Sequence, residues 1–402
     1  MKRRVVVTGV GVVSSIGIGK DGFWNNLING KSGISEVESF DTSRYENHRG
    51  GEVKDFNPLD FIDKDELNKM GKASQFAVAA AKLALDDAGI DMKKVLKDRI
   101  GAIVGTTMAD SQRLEEMDRT WIEHSEKDVD GKLVPQYPGS VLAANIGFKF
   151  DIENAVYSIP TACSAGNYSI GYSYDLIRCG KADYMLAGGS DSFSRVAFTG
   201  FNRLFAVAPE KCQPFDKNRK GMMVGEGAGV LLLESLESAK KRKANIYAEV
   251  LGYALSCDAH HMTAPSVEGI TNVMKKAIKN AGMNDGDVDY ISAHGTGTPS
   301  NDKAECAAVK AVFGDRHKDI SISSIKSMLG HTMGAASAIE AITCCLAIKE
   351  SIIPPTINYE TPDSECDIDC VPNKARRKSV KVALNNSLAF GGNDACLVLG
   401  RL

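Results

Sequence analysis

Residues 155–171 read AVYSIPTACSAGNYSIG, and they decide the fold because a short strand passes there directly into a helix. The β-branched and aromatic residues predict a strand over Ala155–Ile159. After a turn at Pro160, a helix is predicted from Cys163 to about Cys179, with alanine, glycine and serine on its early turns. Small side chains let a helix lie close to its neighbours, so the stretch is typical of a tightly packed strand–helix unit.

Strands and helices alternate on both sides of this unit. On the N-terminal side, the β-branched stretch Arg4–Val13 predicts a buried strand, and the alanine-rich stretch Ala73–Ala88 predicts a helix that Gly89 ends. On the C-terminal side, a strand over Tyr290–Ala293 is followed by a helix over Ala304–Phe313. This alternation predicts the α/β class, with helices on the faces of a sheet.

The length of the chain predicts two packed halves. A single hydrophobic core stops growing at about 250–300 residues, and this chain has 402. No low-complexity segment or flexible linker separates independent domains. We place the boundary near residue 245, so that residues 1–245 carry the candidate nucleophile and residues 246–402 carry the histidine, lysine and phenylalanine motifs.

Composition excludes several classes of protein. The 48 basic and 51 acidic residues give a net charge of −3, which argues against nucleic acid and anionic membranes as partners. Apolar runs such as Val230–Leu233 are too short to span a bilayer, and the basic start MKRRVVVTG reads as a strand, so we predict a cytoplasmic protein. The ten cysteines show no zinc-type C-x-x-C spacing, so no metal site is expected.

Cys163 is the first candidate for chemistry. It stands where the strand turns into the helix, and the N–H groups of a helix N-terminus favour a thiolate and can hold an oxyanion. The alternative is an inert buried thiol, which is the usual state of a free cysteine.

Three further motifs follow predicted strands. His294 begins HGTGTP, in which Thr296 and Thr298 are two residues apart and could bind an amide-bearing ligand. Lys326 and His331 bound the segment KSMLGH, where the lysine could fix a carboxylate or a histidine tautomer. The C-terminal segment AFGGND sets Phe390 against two glycines, as a moving aromatic gate requires. Each motif alone could be a capped turn or a solvated loop.

Together these segments resemble the elongating β-ketoacyl-(acyl carrier protein) synthases of the thiolase superfamily, along essentially the whole chain. The resemblance implies two similar halves stacked as five αβαβα layers, and a dimer. The matching segments are Val5–Gly9, Thr161–Cys163, Gly225–Gly229, His294–Pro299, Asp302–Glu305, Lys326–His331, Gly334–Ala336, Pro354–Asn358 and Phe390–Gly392.

The resemblance also implies roles for single residues. Cys163 carries the acyl chain, His294 and His331 assist decarboxylation of a malonyl group, and Lys326 supports the histidines. Phe390 gates the second substrate. The remaining implied residues are Thr296, Thr298 and Thr263 for the phosphopantetheine arm, Met108 for the acyl pocket, Glu340, Asp302 and Glu305 as supports, and Lys64, Lys69, Lys72 and Arg203 for docking of an acidic acyl carrier protein.

Two departures from the family pattern concern the gate and the docking rim. Ala389 and Asn393–Asp394 replace a glycine and Thr-Asn of the usual gate segment, which predicts a more restricted gate. Asp63, Asp65 and Glu66 stand among the candidate docking lysines. The acidic residues at the rim indicate a dedicated carrier protein, and the two departures together favour a specialised polyketide or polyene pathway.

The resemblance leaves the pathway open. The main hypothesis is two-carbon extension of a fatty-acid or polyketide chain, with no cofactor beyond the carrier's phosphopantetheine. The alternative is a ketosynthase of a specialised type II polyketide or polyene pathway, in which a homologous chain-length subunit makes a heterodimer instead of a homodimer. A non-catalytic subunit would lack Cys163, a priming synthase would not need His331, and a thiolase needs a second late cysteine, for which Cys396 is the only candidate.

Overall fold

A computed structural model describes residues 2–402 of the chain. The strands are β1 (Val5–Ser14), β2 (Gly17–Ile18), β3 (Ser35–Glu36), β4 (Arg49–Gly50), β5 (Ile100–Gly105), β6 (Val156–Ile159), β7 (Tyr184–Asp191), β8 (Gly227–Ser235), β9 (Ala248–Cys257), β10 (Tyr290–Ser292), β11 (Ser321–Ser323), β12 (Ile352–Ile353), β13 (Arg376–Arg377), β14 (Val382–Ser387) and β15 (Asn393–Gly400). The helices are α1 (Lys20–Ile28), α2 (Lys64–Leu67), α3 (Lys72–Ala88), α4 (Ser111–Glu123), α5 (Val141–Phe150), α6 (Ala165–Arg178), α7 (Arg195–Arg203), α8 (Leu236–Lys241), α9 (Val267–Asn280), α10 (Pro299–Phe313), α11 (Lys326–Leu329) and α12 (Ala336–Glu350). The predicted α/β class is confirmed.

Eleven strands form one mixed sheet in the order β11-β10-β14-β15-β9-β1-β8-β7-β5-β6, with β2 paired to β1. The two sides of this sheet repeat one pattern. Strand β5 is parallel to β6 and β7, as β10 is parallel to β11 and β14, whereas the pairs nearer the centre are antiparallel. The two sides meet where β1 pairs with β9, through Val5–Val250, Val6–Glu249 and Val7–Ala248.

Helices cover the outer face of each half of the sheet, and two more helices lie between the two halves. Helix α3 packs outside β1 and β8, and α9 packs outside β9 and β15. Helices α6 and α12 lie between, because each contacts strands from both sides. The layers are therefore helix, sheet, helix, sheet, helix, as the resemblance implied. Helix α12 needs no polar face in this position, and its residues Ala336–Ile348 are all buried.

The structure moves some predicted boundaries for local reasons. Helix α10 begins at Pro299, five residues before the prediction, because a proline at the first helical position needs no N–H partner. The sequence predicts a strand over Ile320–Ile325, and β11 ends at Ser323 because Ile325 already caps helix α11. The predicted boundary at residue 245 lies between α8 and β9. The division into residues 1–245 and 246–402 stays a prediction, since the sheet continues across it.

Four predicted site segments follow the carboxyl ends of strands. Cys163 follows β6, His294 follows β10, Lys326 follows β11 and Phe390 follows β14. The carboxyl ends of strands are where α/β sheets bind ligands, so the fold can gather these residues from distant parts of the chain. Within residues 2–402 no helix has the length and apolar character needed to cross a membrane.

Candidate active site

Cys163 lies in a single 3₁₀ turn, Ala162–Ser164, which connects the end of the β6 segment to helix α6. The preceding residue, Ala162, has φ +50°, a left-handed conformation that is uncommon for a residue with a Cβ. Such strain persists only where the surrounding structure imposes it, and it is concentrated at functional sites. The turn leaves the cysteine 6% exposed at the floor of a cavity.

Two histidines from the other side of the sheet meet this cysteine. The side-chain sulfur of Cys163 and a ring nitrogen from each of His294 and His331 all lie within 4.8 Å of one another. The two rings meet edge to face, with centroids 5.3 Å apart. All three side chains are buried. The structure therefore brings together the three residues that the resemblance placed at the reaction centre.

A cysteine and two histidines at this spacing could also hold a metal ion, but the tautomer of His331 does not suit one. The backbone N–H of Met333 donates to Nδ1 of His331 over 3.1 Å. A neutral imidazole that accepts at Nδ1 carries its proton on Nε2, and Nε2 has no partner of its own. Nε2 is therefore a free hydrogen-bond donor that faces the site, and a metal ion requires a lone pair there.

Burial decides the protonation states of these groups. It raises the pKa of Cys163 to about 11, although the charge of Lys326 and the backbone N–H of Phe390 act in the opposite direction. Burial, followed by the charge of Lys326, holds the pKa of both His294 and His331 well below the usual value of about 6.5. Burial therefore favours a neutral thiol and two neutral imidazoles, and on Cys163 it opposes the helix N-terminus, which favours a thiolate.

Lys326 and Glu340 form a buried ion pair beside the histidines. Nζ of Lys326 donates to Oε1 of Glu340, and the two residues are each 1% exposed. Burial raises the pKa of Glu340 to about 7, against the lowering effect of the lysine. The sequence assigned Glu340 to the surroundings of Lys326, and the structure makes it the direct partner.

Two buried carboxylates fix the loop that carries His294. Glu305 accepts the backbone N–H groups of His294 and Gly295, each over 2.8 Å. Asp302 accepts the N–H of Gly297 over 3.1 Å and the N–H of Phe215 over 2.8 Å. The two side chains lie on one face of helix α10 and so hold the start of the predicted ligand-binding turn.

The three predicted phosphopantetheine threonines share the cavity of Cys163. Thr263, Thr296 and Thr298 all line it, as does Phe390. The hydroxyls of Thr296 and Thr298 are 2.9 Å apart and hydrogen-bonded to each other, so both point the same way. Residues that sequence reasoning missed also line the cavity, namely Phe201, Ala206, Met222, Met262, Ala264, Pro265, Asn301 and Leu388.

The predicted gate consists of an aromatic ring that contacts a second ring and of two glycines whose backbone is in the left-handed region. The ring of Phe390 lies 6.0 Å from that of Phe201, centroid to centroid. Gly391 and Gly392 have φ of +82° and +77°, which only glycine adopts readily. Ala389 is extended, with φ −111°, so its Cβ causes no strain in this state of the gate.

Met108 lies apart from the cavity, in a loop held by Asp191. Its backbone N–H donates to Asp191 over 2.7 Å, and its side chain is half-buried. Its place in the acyl pocket stays a prediction. Asp191 itself was not predicted, and the only signal for it in the sequence was an acidic residue at the end of a buried strand.

The docking residues stay predictions. Lys64, Lys69 and Arg203 are exposed, whereas Lys72 is partly buried and its ammonium lies 2.6 Å from the fully buried carboxylate of Glu226. The acidic rim is also weaker than the sequence implied. Lys149 lies 2.6 Å from Asp63 and 2.9 Å from Glu66 and so compensates both.

A buried cysteine beside two neutral histidines, on an α/β sheet that repeats one pattern, defines a thiol-dependent acyl-transfer enzyme of the thiolase fold. Family comparison agrees: residues 2–239 match the N-terminal domain of β-ketoacyl synthases and residues 247–360 match the C-terminal domain. The chain belongs to the β-ketoacyl synthase family and is an acyltransferase.

The similarity to named relatives covers essentially the whole chain. It is 39% identical to 3-oxoacyl-(acyl-carrier-protein) synthase 2 of Staphylococcus aureus (strain COL), over 98% of each chain. It is 38% identical to the protein of the same name from Coxiella burnetii, over 100% of this chain and 99% of the relative.

Solved structures include ketosynthases of polyketide assembly. The chain superposes on the ishigamide ketosynthase/chain length factor with a TM-score of 0.97 and 44% identity, over 100% of both chains. It superposes with a TM-score of 0.93 and 35% identity, again over 100% of both chains, on a structure described as a type II polyketide synthase acyl-carrier protein in complex with its ketosynthase bound to the hexaketide.

Proposed function

We propose that this enzyme extends an acyl chain by two carbons, through decarboxylative Claisen condensation of an acyl group on Cys163 with a malonyl group on an acyl carrier protein. The observation that carries the proposal is the meeting of Cys163, His294 and His331 within 4.8 Å, in a cavity lined by three threonines. The threonine hydroxyls suit the amides of a phosphopantetheine arm, and the proposed reaction uses no cofactor beyond that arm.

Acylation is the first step. The sulfur of Cys163 attacks the thioester carbonyl of the acyl carrier, and its proton passes to a neutral histidine nitrogen. The N–H groups of Cys163 and Phe390, which stabilise a charge on the sulfur, are placed to hold the carbonyl oxygen as it becomes negative. The carrier's sulfur then leaves and takes up the proton, so that the histidine returns to its neutral form.

Decarboxylation follows in the same cavity. His331 donates from Nε2 and His294 from a ring nitrogen to the carbonyl oxygen of the malonyl thioester. The bond to the carboxylate breaks, carbon dioxide leaves, and the electron pair forms an enolate whose oxygen those donors stabilise. The enolate carbon attacks the Cys163 thioester, the carbon–sulfur bond breaks, and the released thiolate takes up a proton from solvent.

Lys326 serves this chemistry through its charge. Its ammonium lowers the pKa of both histidines, which keeps them neutral and able to donate without becoming imidazolium. It also acts against burial on the thiol of Cys163. Glu340 holds the ammonium in place, and Glu305 and Asp302 hold the His294 loop.

A thiolase reaction fits the site less well. Thiolases use a second cysteine, and the only late candidate, Cys396, is fully buried in β15 and does not line the cavity. The site has a second histidine instead, with a free donor on Nε2. That arrangement suits an enzyme that must stabilise the enolate left by decarboxylation.

A second candidate is the same chemistry in a type II polyketide or polyene pathway. The observation that favours it is the 44% identity to the ishigamide ketosynthase/chain length factor, against 39% to a 3-oxoacyl-(acyl-carrier-protein) synthase 2. Strand β6 pairs only with β5 and leaves one edge open, which suits a dimer with a second copy or with a homologous chain-length subunit. The presence of Cys163 assigns this chain to the catalytic subunit of such a pair. The cytoplasmic location stays a prediction.

The test is mass spectrometry of the purified protein, incubated with saturated, polyenoyl and aryl-primed acyl carriers and then with malonyl carrier. An acyl adduct on Cys163, followed by a β-ketoacyl product two carbons longer, is the expected result. Adducts from polyenoyl or aryl chains alone would assign the enzyme to the specialised pathway. No adduct from any carrier, with the protein folded and the homologous subunit supplied, would contradict the proposal.

A further inference from the structure

Asp394 is a buried carboxyl that directly follows the gate segment, residues 389–393, and that the proposed reaction does not use. It is the second residue of β15 and is 1% exposed. Within residues 2–402 its Oδ2 has no hydrogen-bond partner, and neither has the hydroxyl of Ser256, which lies directly opposite on β9. The backbone N–H of Ala389, where the gate begins, faces the carboxyl. The gate segment therefore covers a carboxyl oxygen that no hydrogen bond in the described chain compensates.

Two further carboxylates act on Asp394 through space. Asp258 comes directly after β9, and its Oδ1 packs against the gate, since a Cβ on Gly392 would lie only 2.0 Å from it. Glu305 reaches the same region from helix α10, where it accepts the N–H groups that hold the His294 loop. Asp394 is thus the third acidic group in one largely buried region behind the gate.

The other titratable groups around Asp394 do not offset this repulsion. Tyr168 faces it from helix α6 and stays neutral, because burial raises the pKa of that phenol to about 12. Glu340 of helix α12 is paired with Lys326, and Cys257 at the end of β9 carries an exposed thiol. Helix α9 packs against β15 but has its charged residues on its exposed face, namely Glu268, Lys275, Lys276 and Lys279. None of the cations in residues 2–402 is paired with Asp394.

The surroundings of Asp394 favour its neutral form while the gate is shut. A buried ionised carboxyl costs free energy that protonation removes, and nearby like charges add to that cost. Burial, followed by the charges of Asp258 and Glu305, raises the pKa of Asp394 to about 8, although the N–H of Ala389 acts in the opposite direction. An Asp carboxyl in water has a pKa of about 3.9.

The shut gate is also held by two backbone hydrogen bonds to the segment after β9. The N–H of Gly391 donates to the carbonyl oxygen of Met262 over 2.9 Å, and the N–H of Asp258 donates to that of Gly392 over 3.1 Å. A gate that swings away from the cavity breaks these bonds. Because like charges repel, an ionised Asp394 beside Asp258 makes the shut state less stable.

We propose that Asp394 is a positioning residue that holds the gate shut as a neutral acid, so that the gate opens for the malonyl carrier with release of one proton. On opening, water reaches the carboxyl, its O–H bond breaks, and the proton passes to the water. The inference rests on the proposed function and adds a pH dependence to one of its steps. The usual gate segment that this chain resembles has asparagine at this position, so Asp394→Asn is a neutral variant of the same shape.

The direction of the pH dependence follows from the two states of the carboxyl. Because the pKa is higher in the shut state, that state is favoured most below about pH 4 and loses this advantage as the pH rises to about 8. Opening therefore becomes easier by up to about tenfold for each pH unit in this range, and it levels off above about pH 8. Asp394→Asn removes the dependence.

The first measurement is hydrogen exchange of the gate peptide, by mass spectrometry on full-length wild type and Asp394→Asn between pH 6 and 9. The N–H of Gly391 exchanges when its bond to Met262 opens. The ratio of its exchange rates, wild type to variant, should rise about tenfold or more up to pH 8 and then level off. The intrinsic pH dependence of exchange cancels in this ratio.

The second measurement is condensation by enzyme already acylated on Cys163, over the same pH range. The kcat/KM for malonyl carrier in wild type, divided by that in Asp394→Asn, should rise in the same way. Groups present in both proteins cancel, including Glu340 with its pKa of about 7. Cys163 lines the cavity while the gate is shut, so the ratio of the acylation rates should stay flat.

Two further variants separate the titration from structural damage. Asp110 is also a buried carboxyl, and it accepts the N–H groups of Ala73 and Ser74 in helix α3, away from the gate. The exchange ratio of wild type to Asp110→Asn should stay flat. Asp258→Asn removes a neighbouring charge and lowers the pKa of Asp394, so the exchange of the gate peptide should level off at a lower pH than in wild type. It carries the test if Asp394→Asn does not fold.

The outcomes distinguish this inference from the proposed function. A flat exchange ratio for Asp394→Asn, an equal rise for Asp110→Asn, or an unmoved levelling point in Asp258→Asn would overturn the inference. A rising exchange ratio with a flat kcat/KM ratio would also overturn it, because the proton would then not control entry of the malonyl carrier. A wild type that forms no condensation product with any carrier, although its gate peptide shows the rising ratio, would overturn the proposed function and leave a proton-linked gate.

Discussion

Met333 and His331 are joined by a hydrogen bond that runs from the backbone N–H of the first to Nδ1 of the second, over 3.1 Å. Met333 has φ +54°, a conformation that costs energy in a residue with a Cβ. The structure thus maintains a strained residue whose N–H determines which nitrogen of His331 carries the proton. A histidine fixed in this way is a hydrogen-bond donor before the substrate arrives.

The first prediction concerns this donor. His331→Ala should slow decarboxylation of malonyl carrier about 100-fold or more, because an oxyanion donor is removed. Acylation of Cys163 should change by less than about threefold, since the N–H groups that stabilise charge on its sulfur remain. Carbon dioxide release and the acyl adduct mass measure the two steps separately. An equal loss of both steps would contradict the assigned role.

The second prediction separates the nucleophile from the histidines. Cys163→Ala should abolish the acyl adduct and retain release of carbon dioxide from malonyl carrier, because His294, His331 and Lys326 stay in place. Cys396→Ala is the matched control, since that thiol is fully buried in β15 and does not line the cavity. The control should retain the adduct. Loss of both activities in Cys163→Ala, with the fold intact, would show that the cysteine has a different part in the reaction.

The third prediction is the pH dependence of the thiol. Because burial raises the pKa of Cys163 to about 11, its thiolate fraction should grow about tenfold for each pH unit between pH 7 and 10. Iodoacetamide alkylation of the Cys163 peptide, followed by mass spectrometry, measures this growth. A simple thiol levels off above its pKa of about 8.5 and serves as the reference. A plateau below pH 8 for Cys163 would mean that the helix N-terminus outweighs burial.

The fourth prediction concerns the buried ion pair. Lys326→Met leaves Glu340 without its cation, so burial raises the pKa of that carboxyl further above its unfolded value of about 4.3. A carboxyl whose pKa is raised by folding contributes stability at low pH that is lost as the pH rises through the folded pKa. The variant should therefore be less stable than the wild type at pH 8 by about 3–5 kcal/mol and by less at pH 5.

Denaturant unfolding at the two pH values measures this difference. The double variant Lys326→Met, Glu340→Met buries no charge and should recover most of the lost stability at pH 8, because apolar residues of similar volume can replace a buried ion pair. A single variant whose loss is the same at both pH values would argue against a carboxyl that titrates near neutrality.

The sequence was a better guide to which residues form the reaction centre than to their protonation states. Cys163, His294 and His331 could be predicted because each stands in a short motif after a strand, and the carboxyl ends of strands meet in an α/β fold. The protonation state of Cys163 could not be predicted in that way. The helix N-terminus is visible in the sequence and favours a thiolate, whereas burial, which raises the pKa of the thiol, is a property of the whole fold.

The ion pairs between residues far apart along the chain also could not be predicted from the sequence. Lys72 looked like a docking residue because its buried partner, Glu226, lies 154 positions away. Lys149 compensates Asp63 and Glu66 from a separation of more than 80 positions. Local sequence shows which charges are present, but which of them neutralise one another depends on how helices α3 and α5 pack.

The middle layer also has a consequence for how the chain can be divided. Helix α12 is buried on all sides, and both faces are covered only when the strands before and after residue 245 are present together. The part that carries Cys163 would by itself expose the surface that α12 normally covers, and the part that carries the histidines would expose α12. Neither fragment should be soluble when it is made alone, and co-expression of the two should restore an active enzyme, because three backbone pairs between β1 and β9 and one shared helix layer give the fragments a single way to fit.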